Sequence, residues 1–450
     1  MKKRIKEETV IFVSVFKWIV LATAVGIITG VSTTVFVSAI NFGSLLGQKY
    51  HYYYFLMPLG LLLSAVIIKY IFPSAAGHGA DKAIEAIHKR SGKIKPLEVP
   101  VEFIRTFLTL TFGGSAGKEG PSAQIGAGLA SILADALRFE GTDRRKLVIC
   151  GISGAFASVF GTPLAGAIFG MEVLFVGSIL YDVLLPSFVA GVISYQVSSW
   201  LGLTYFYNPL TFVPVFSQAF FIKVIIAGVF FGIVSLIFVE TLKLGKRLSS
   251  AIKAPLELKA VFAGAVMAAI TYVLGREYLG LGLDVIQSAL EGGEVPWYAF
   301  LMKSAFTGAT LGFGGHGGIG TPIFYVGATA GSTLSKILSV DPSVLAAIGF
   351  VSLLAGAANT PIAASIMAVE LFGPEVAPYA AIASVISFII TGHRSAYPSQ
   401  VLAIKKSGSI NIELGAEIKE AVPQYQQRDG SLISYARLIW ELAKRIKSKR

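Results

Sequence analysis

Several long stretches of this chain carry no charged residue: Trp18 to Ile40, Leu147 to Met171, Val183 to Ile222 and Ser343 to Val369. Each reaches or approaches the roughly 20 residues that an α-helix needs to cross a bilayer. With 54% hydrophobic and 14% charged residues and a mean hydropathy of +0.70, the chain reads as an all-α polytopic membrane protein. A soluble enzyme, a disulfide scaffold and a nucleic-acid-binding domain are excluded on this ground, the last despite a net charge of +12. One cleavable signal peptide does not account for several such runs.

The basic residues gather where a membrane protein needs them. Lys2, Lys3, Arg4 and Lys6 precede the first run, and Lys444, Arg445, Lys447, Lys449 and Arg450 end the chain. The positive-inside tendency then expects both termini in the cytoplasm and an even number of crossings. The single cysteine, Cys150, lies within an apolar run and is expected to be a small buried hydrophobe.

Forty-eight glycines and 18 prolines are too many for simple spanning helices, because Gly costs about 1 and Pro about 3 kcal/mol in a helix interior. They mark breaks. Gly161-Thr162-Pro163 and Asn359-Thr360-Pro361 each interrupt an apolar run. In both, Thr is placed to cap a new helix and Pro to occupy its first turn.

The chain also repeats itself. FGGSAGKEGPSAQIGAGLAS from Phe112 and FGGHGGIGTPIFYVGATAGS from Phe313 share Phe, Gly, Gly, Gly, Pro, Gly, Ala and Ser at matching places. A second pair, GTPLAGAIFGMEVL from Gly161 and NTPIAASIMAVELF from Asn359, follows at nearly the same offset and matches Glu172 with Glu370. Duplicated halves with broken helices at corresponding places point to a transporter architecture with its site between the repeats. Helix starts near Pro121, Pro163, Pro322 and Pro361 would expose free N–H groups and a positive dipole end inside the bilayer, and a small anion satisfies both.

At Gly117-Lys118-Glu119-Gly120-Pro121 the sequence resembles the CLC chloride channels and chloride/proton exchangers, and the resemblance runs from about Gly77 to Gln400. Gly77-His78-Gly79 is similar to that family's first anion-binding loop, Gly318-Ile319-Gly320-Thr321-Pro322 to its third, and Tyr397 in SAYPSQ to its anion-touching tyrosine. The resemblance implies a CLC-type inverted repeat of tilted and partial helices, in a homodimer with one pathway per subunit. It implies Glu119 as the gate, and His78, Gly79, Lys118, Gly120, Ile319, Gly320 and Tyr397 around the anion. Taken alone, Tyr397 could equally be an interfacial belt residue, and Lys118 either attracts anions or snorkels to a surface.

Three departures from the family pattern stand out. His78 replaces the usual Ser, and Gly320 replaces a bulky aromatic, which is expected to widen the inner constriction. Val173 falls where exchangers commonly carry a second, proton-carrying glutamate. Neighbouring Glu172 is a candidate for the proton route, but its match with Glu370 favours a structural task shared by both halves. His316 reads as a hydrogen-bonded loop residue.

The expected organisation is a transmembrane domain over 1–405, with repeats near 50–205 and 218–400, and a cytoplasmic basic tail over 406–450. Leu432 to Arg450 has the look of an amphipathic surface helix, and the tail is too short for paired nucleotide-binding regulatory domains. The expected function is passive chloride conduction across the plasma membrane, gated by Glu119, with chloride/proton antiport as the alternative. No metal or cofactor is expected, and the partners are small anions, lipid and a second copy of the chain. An intramembrane serine protease built on Gly151-Ile152-Ser153-Gly154 and His316 is a remote reading, and sodium-coupled transport of a larger organic anion is another.

Overall fold

A computed structural model describes residues 2–73, 77, 79–205 and 217–425. The amphipathic segment expected over 432–450 and the loop residue His78 lie outside the described residues.

The first half begins with α1 (Lys2–Gln48) and α2 (Met57–Val66), which is extended by a π-turn to Ile71. It continues through α3 (Gly79–Arg90), α4 (Glu98–Thr111), α5 (Glu119–Ala136), α6 (Gly141–Phe160), α7 (Pro163–Glu172) and α8 (Leu184–Trp200). The second half runs through α9 (Gln218–Ala251), α10 (Leu256–Leu274), α11 (Leu283–Leu290) and α12 (Ala299–Gly312). It ends with α13 (Gly320–Leu338), α14 (Pro342–Ala358), α15 (Pro361–Phe372) and α16 (Ala377–Ile390). Taken in order, α1 to α8 correspond to α9 to α16, so the duplication takes in α1, ahead of the start near residue 50 expected from the sequence motifs.

Among the described residues five helices are long and apolar enough to cross a membrane: Lys6–Gly47, Tyr53–Ile71, Tyr181–Trp200, Gln218–Ala251 and Leu256–Leu274. The buried core helices are shorter. Gly161, at φ +71°, ends α6 in the left-handed conformation, and Asn359, at φ +57°, ends α14 the same way. Pro163 and Pro361 then open new helices in the same apolar runs. Small residues let the core helices approach: a Cβ on Gly151 would lie 2.5 Å from the Gly126 carbonyl across α5 and α6. Gly327 and Gly349 make the corresponding contact across α13 and α14.

Residues 401–425 do not hang free. β1 (Phe175–Val176) pairs in parallel with β2 (Val401–Leu402), and β3 (Ile410–Asn411) pairs antiparallel with β4 (Gln424–Tyr425). Lys406 reaches inward, donating to Asn359 Oδ1 and to the Phe388 carbonyl at 2.6 Å each. The opening of the expected tail is therefore a strap folded against the helices.

Candidate functional site

Two loops meet at the centre of the molecule. Gly117 and Gly318 donate their N–H groups to each other's carbonyls at 2.7 Å, so the starts of α5 and α13 face one another. α3 begins beside them: Gly79 has φ +41°, and a Cβ there would sit 2.6 Å from the Gly120 carbonyl carbon. Only glycine permits that approach. Three helix N-termini thus converge, each with free N–H groups and a positive dipole end.

Glu119 is the first residue of α5 and is 1% exposed. Its carboxylate does not serve its own helix. Thr321, near the start of α13, donates its N–H to Glu119 Oε2 at 2.8 Å and its hydroxyl to Oε1. The carboxylate therefore stands where an anion would be held, at a helix N-terminus. Gly320 makes room for it: a Cβ at 320 would lie 2.9 Å from Oε2 and 3.1 Å from the Glu119 Cβ and Cγ. The expectation that Gly320 widens an open constriction is corrected here, since the Glu119 side chain fills that space.

Beside these loops lies a cavity of about 630 Å³, whose walls include Gly120, Gly318, Ile319 and Tyr397. Lys243, Lys246, Arg247, Arg394 and Lys419 also line it, against the acids Asp81 and Glu240. This basic lining raises the local concentration of anions. Tyr397 is 3% exposed, lies edge-on to Phe169 at 6.4 Å and faces the cavity, so it is buried in the protein and does not stand in an exposed interfacial belt. Gly79, Glu119 and Gly320 lie behind the wall. Lys118 is corrected: it is half-buried, is absent from the cavity wall, and its carbonyl accepts the N–H and hydroxyl of Ser122.

The other two helix starts form a separate arrangement. Glu172, at the end of α7, accepts from Ile362 N at 3.1 Å and Ala363 N at 2.8 Å, in the first turn of α15. Glu370 on α15 accepts from Leu164 N at 2.9 Å and Ala165 N at 2.8 Å, in the first turn of α7. Each half-helix is capped by the other's carboxylate. The expected Thr caps are corrected, because neither Thr162 nor Thr360 makes a side-chain cap and both hydroxyls are buried without a hydrogen bond. These two starts are closed by protein, whereas those of α3, α5 and α13 meet beside the cavity. With both oxygens engaged, Glu172 does structural work, and Val173 is a fully buried aliphatic residue whose carbonyl accepts from Gln400. Ser153 donates to the Ala167 carbonyl at 3.2 Å and His316 pairs with Glu102, so the residues of the protease reading are not a dyad.

Residues 60–392 match the family model described as voltage gated chloride channel. The chain belongs to the CLC family. Relatives within it include the chloride/fluoride channel protein of Pseudomonas syringae pv. tomato, 37% identical over 85% of this chain and 86% of that protein. The H(+)/Cl(-) exchange transporter ClcA of Vibrio parahaemolyticus is 23% identical over 79% of this chain and 82% of that one. A solved CLC-type fluoride/proton antiporter is 26% identical and superposes with a TM-score of 0.81, over 86% of this chain and 98% of its own. A slow cyanobacterial Cl-/H+ antiporter, 20% identical, shares the fold with a TM-score of 0.72, over 83% and 94% of the two chains. This CLC protein is accordingly an anion transporter or channel and not an enzyme, and anion transport in the family needs no cofactor.

Three features of this CLC chain escaped the motifs, and Thr321 stood in one without a role: it sits at the repeat position of Gly120 and donates its N–H and hydroxyl to the Glu119 carboxylate. Asp81 enters the cavity wall with its carboxylate accepting from Ser399 N at 2.9 Å and the Ser399 hydroxyl at 3.2 Å. Lys303 is fully buried and donates to the carbonyls of Tyr278, Leu279 and Gly280. His316 Nε2 lies 2.8 Å from Glu102 Oε2. In sequence these partners are distant from each other, and no local pattern joins them.

Proposed function

We propose that this protein exchanges a small anion, fluoride in preference to chloride, for protons through the path gated by Glu119. The observation that carries the reading is the seat of the Glu119 carboxylate on the N–H and hydroxyl of Thr321. Carboxylate and anion compete for the same donors, so an anion enters as the carboxylate leaves, and protonation favours leaving. One group thereby links the two fluxes. A compact seat made of an N–H and a hydroxyl suits fluoride, a small and strong hydrogen-bond acceptor. The printed names of the Pseudomonas relative and of the solved antiporter support the same choice.

A second reading, passive conduction, is favoured by Val173, which carries no proton at the position where exchangers commonly have glutamate. The experiment is direct. Purified protein in liposomes with an outward fluoride gradient and no pH gradient should drive protons uphill into the vesicles, with slower transport when chloride replaces fluoride. Electrogenic anion flux without proton movement would establish the channel reading instead. The homodimer, the plasma-membrane location and the cytoplasmic termini belong to the same proposal, and cross-linking in membranes together with accessibility labelling of both ends tests them.

A further inference from the structure

We propose that Glu102 and His316 form a proton-holding pair behind the Glu119 gate, taking the place of the glutamate that is absent at Val173. The inference rests on the exchange reading above. His316 Nε2 lies 2.8 Å from Glu102 Oε2, with side chains 0% and 5% exposed. The second Glu102 oxygen, Oε1, is buried and accepts no hydrogen bond from a described residue.

The internal symmetry separates this pair from a structural pin. His316 and Ser115 occupy matching places in the two loops. Ser115 N donates to Thr310 Oγ1 at 3.0 Å, and His316 N donates to Thr109 Oγ1 at 2.9 Å. The backbone of each loop is thus fixed by a threonine in the same way. In the Ser115 loop the side chain adds only a neutral hydroxyl contact to Thr307. The ionisable pair in the other loop is additional to the anchoring, and buried ionisable groups within a membrane protein are costly enough to mark function.

Position supports a relay. His316 stands two residues before Gly318, which is joined by two 2.7 Å hydrogen bonds to Gly117, itself two residues before Glu119. In the other direction Glu98 lies one turn from Glu102 on the same face of α4. Glu98 is 2% exposed and receives Gln124 Nε2 from α5 at 3.3 Å. Its Oε1 is 3.9 Å from Arg90, which is 38% exposed. The row Glu98, Glu102, His316, all buried, thus extends from beside the partly exposed Arg90 toward Glu119. Lys82 on α3 and Arg105 on α4 face the pair. With Arg90 beside Glu98, these cations at least match the charge of Glu98 and Glu102, so an added proton meets positive charge and is not trapped at the pair. The step is a simple transfer: a proton delivered by way of Glu98 forms a bond at the pair, and that bond breaks as the Glu119 carboxylate takes the proton.

The test measures protons moved per fluoride in liposomes containing the full chain, for wild type, Glu102→Gln, His316→Gln and the surface-end variant Glu98→Gln. We expect the ratio to fall at least tenfold in Glu102→Gln and His316→Gln and to recover in Glu102→Asp. Thr109→Val, which removes the backbone pin together with the Thr109 hydroxyl's bond to the Arg105 carbonyl but leaves both members of the pair in place, should slow both fluxes together and leave the ratio as in wild type. A wild-type ratio in Glu102→Gln and His316→Gln would overturn the proposal while leaving exchange intact. If these two do not fold, an unaltered ratio in Glu98→Gln would overturn it. Absence of proton pumping by the wild type would overturn the exchange reading and this inference with it.

Discussion

One methyl group at position 320 tests the gate. In Gly320→Ala the new Cβ would lie 2.9 Å from Glu119 Oε2 and 3.1 Å from its Cβ and Cγ, whereas ordinary carbon contacts begin near 3.5 Å. The Glu119 side chain must retreat by several tenths of an ångström along its length. Its 2.8 Å bond from Thr321 N then stretches beyond useful geometry. A hydrogen bond to a charged group contributes about 1.5–3 kcal/mol, close to the 1–3 kcal/mol that overpacking costs. The seated state of the gate should therefore be weakened roughly 10- to 150-fold relative to the open one, at about 1.4 kcal/mol per factor of ten. The assay is the initial rate of fluoride efflux from liposomes, with melting in detergent as a check on folding. Gly320→Ala should release anion faster than wild type and couple fewer protons to it. Because the effect acts through Glu119, it should vanish in a Glu119→Ala background, and this double-mutant cycle is the decisive part. The same acceleration with Glu119 absent would refute the reasoning.

The reciprocal caps and the strap yield two further expectations. Glu370→Gln should destabilise the protein by about 1.5–3 kcal/mol, the worth of a charge-assisted hydrogen bond at a helix start, and Glu172→Gln should do the same; melting of either variant at the wild-type temperature would contradict the capping roles. In the strap, burial raises the Glu417 carboxyl, but ion pairs with Lys419 at 2.7 Å and Lys89 at 3.0 Å outweigh it and hold the group below its usual 4.5. A folded value below the unfolded one gives stability above pH 4.5 that is lost as pH falls through the folded value. The protection of the Val401 and Lys419 amides, measured against their intrinsic exchange rate at each pH, should thus fall in acid, and an equal loss of protection in Glu417→Gln at neutral pH would confirm the source.

Local chemistry made much of this legible. The uncharged runs from Trp18 and Val183 fell on long apolar helices, whereas those from Leu147 and Ser343 fell on the broken core helices. Pro163 and Pro361 marked true helix starts because proline's missing N–H costs nothing there. Glu119 stood out because its neighbours form a motif. The errors share a cause. Thr162 and Thr360 have the right local character for caps, yet carboxylates about 200 residues away occupy those N-termini. Gly320 looked like added space until the Glu119 side chain was seen to fill it. His316 could be assigned to a loop, but its partner Glu102 belongs to the other half of the duplication. A helix end states what it needs, and only the fold determines which residue supplies it.

The placement of carboxylates distinguishes the helix start held by Glu119, the gate in the proposed mechanism, from the two held by Glu172 and Glu370. Glu172 and Glu370 are a symmetric pair, each accepting two backbone N–H groups from the other's half-helix. Releasing either would leave two backbone donors and a carboxylate without their partners. Glu119 has no such counterpart, because the matching residue in the second half is Gly320. Its carboxylate holds one backbone N–H and a hydroxyl that can turn to another acceptor, and beside its loop lies a cavity lined with basic residues. An anion arriving from that cavity can replace what the departing carboxylate gave to α13. In the proposed mechanism the symmetric carboxylates keep their helix starts closed, and the loss of symmetry at Glu119 and Gly320 is what leaves one carboxylate free to exchange with an anion.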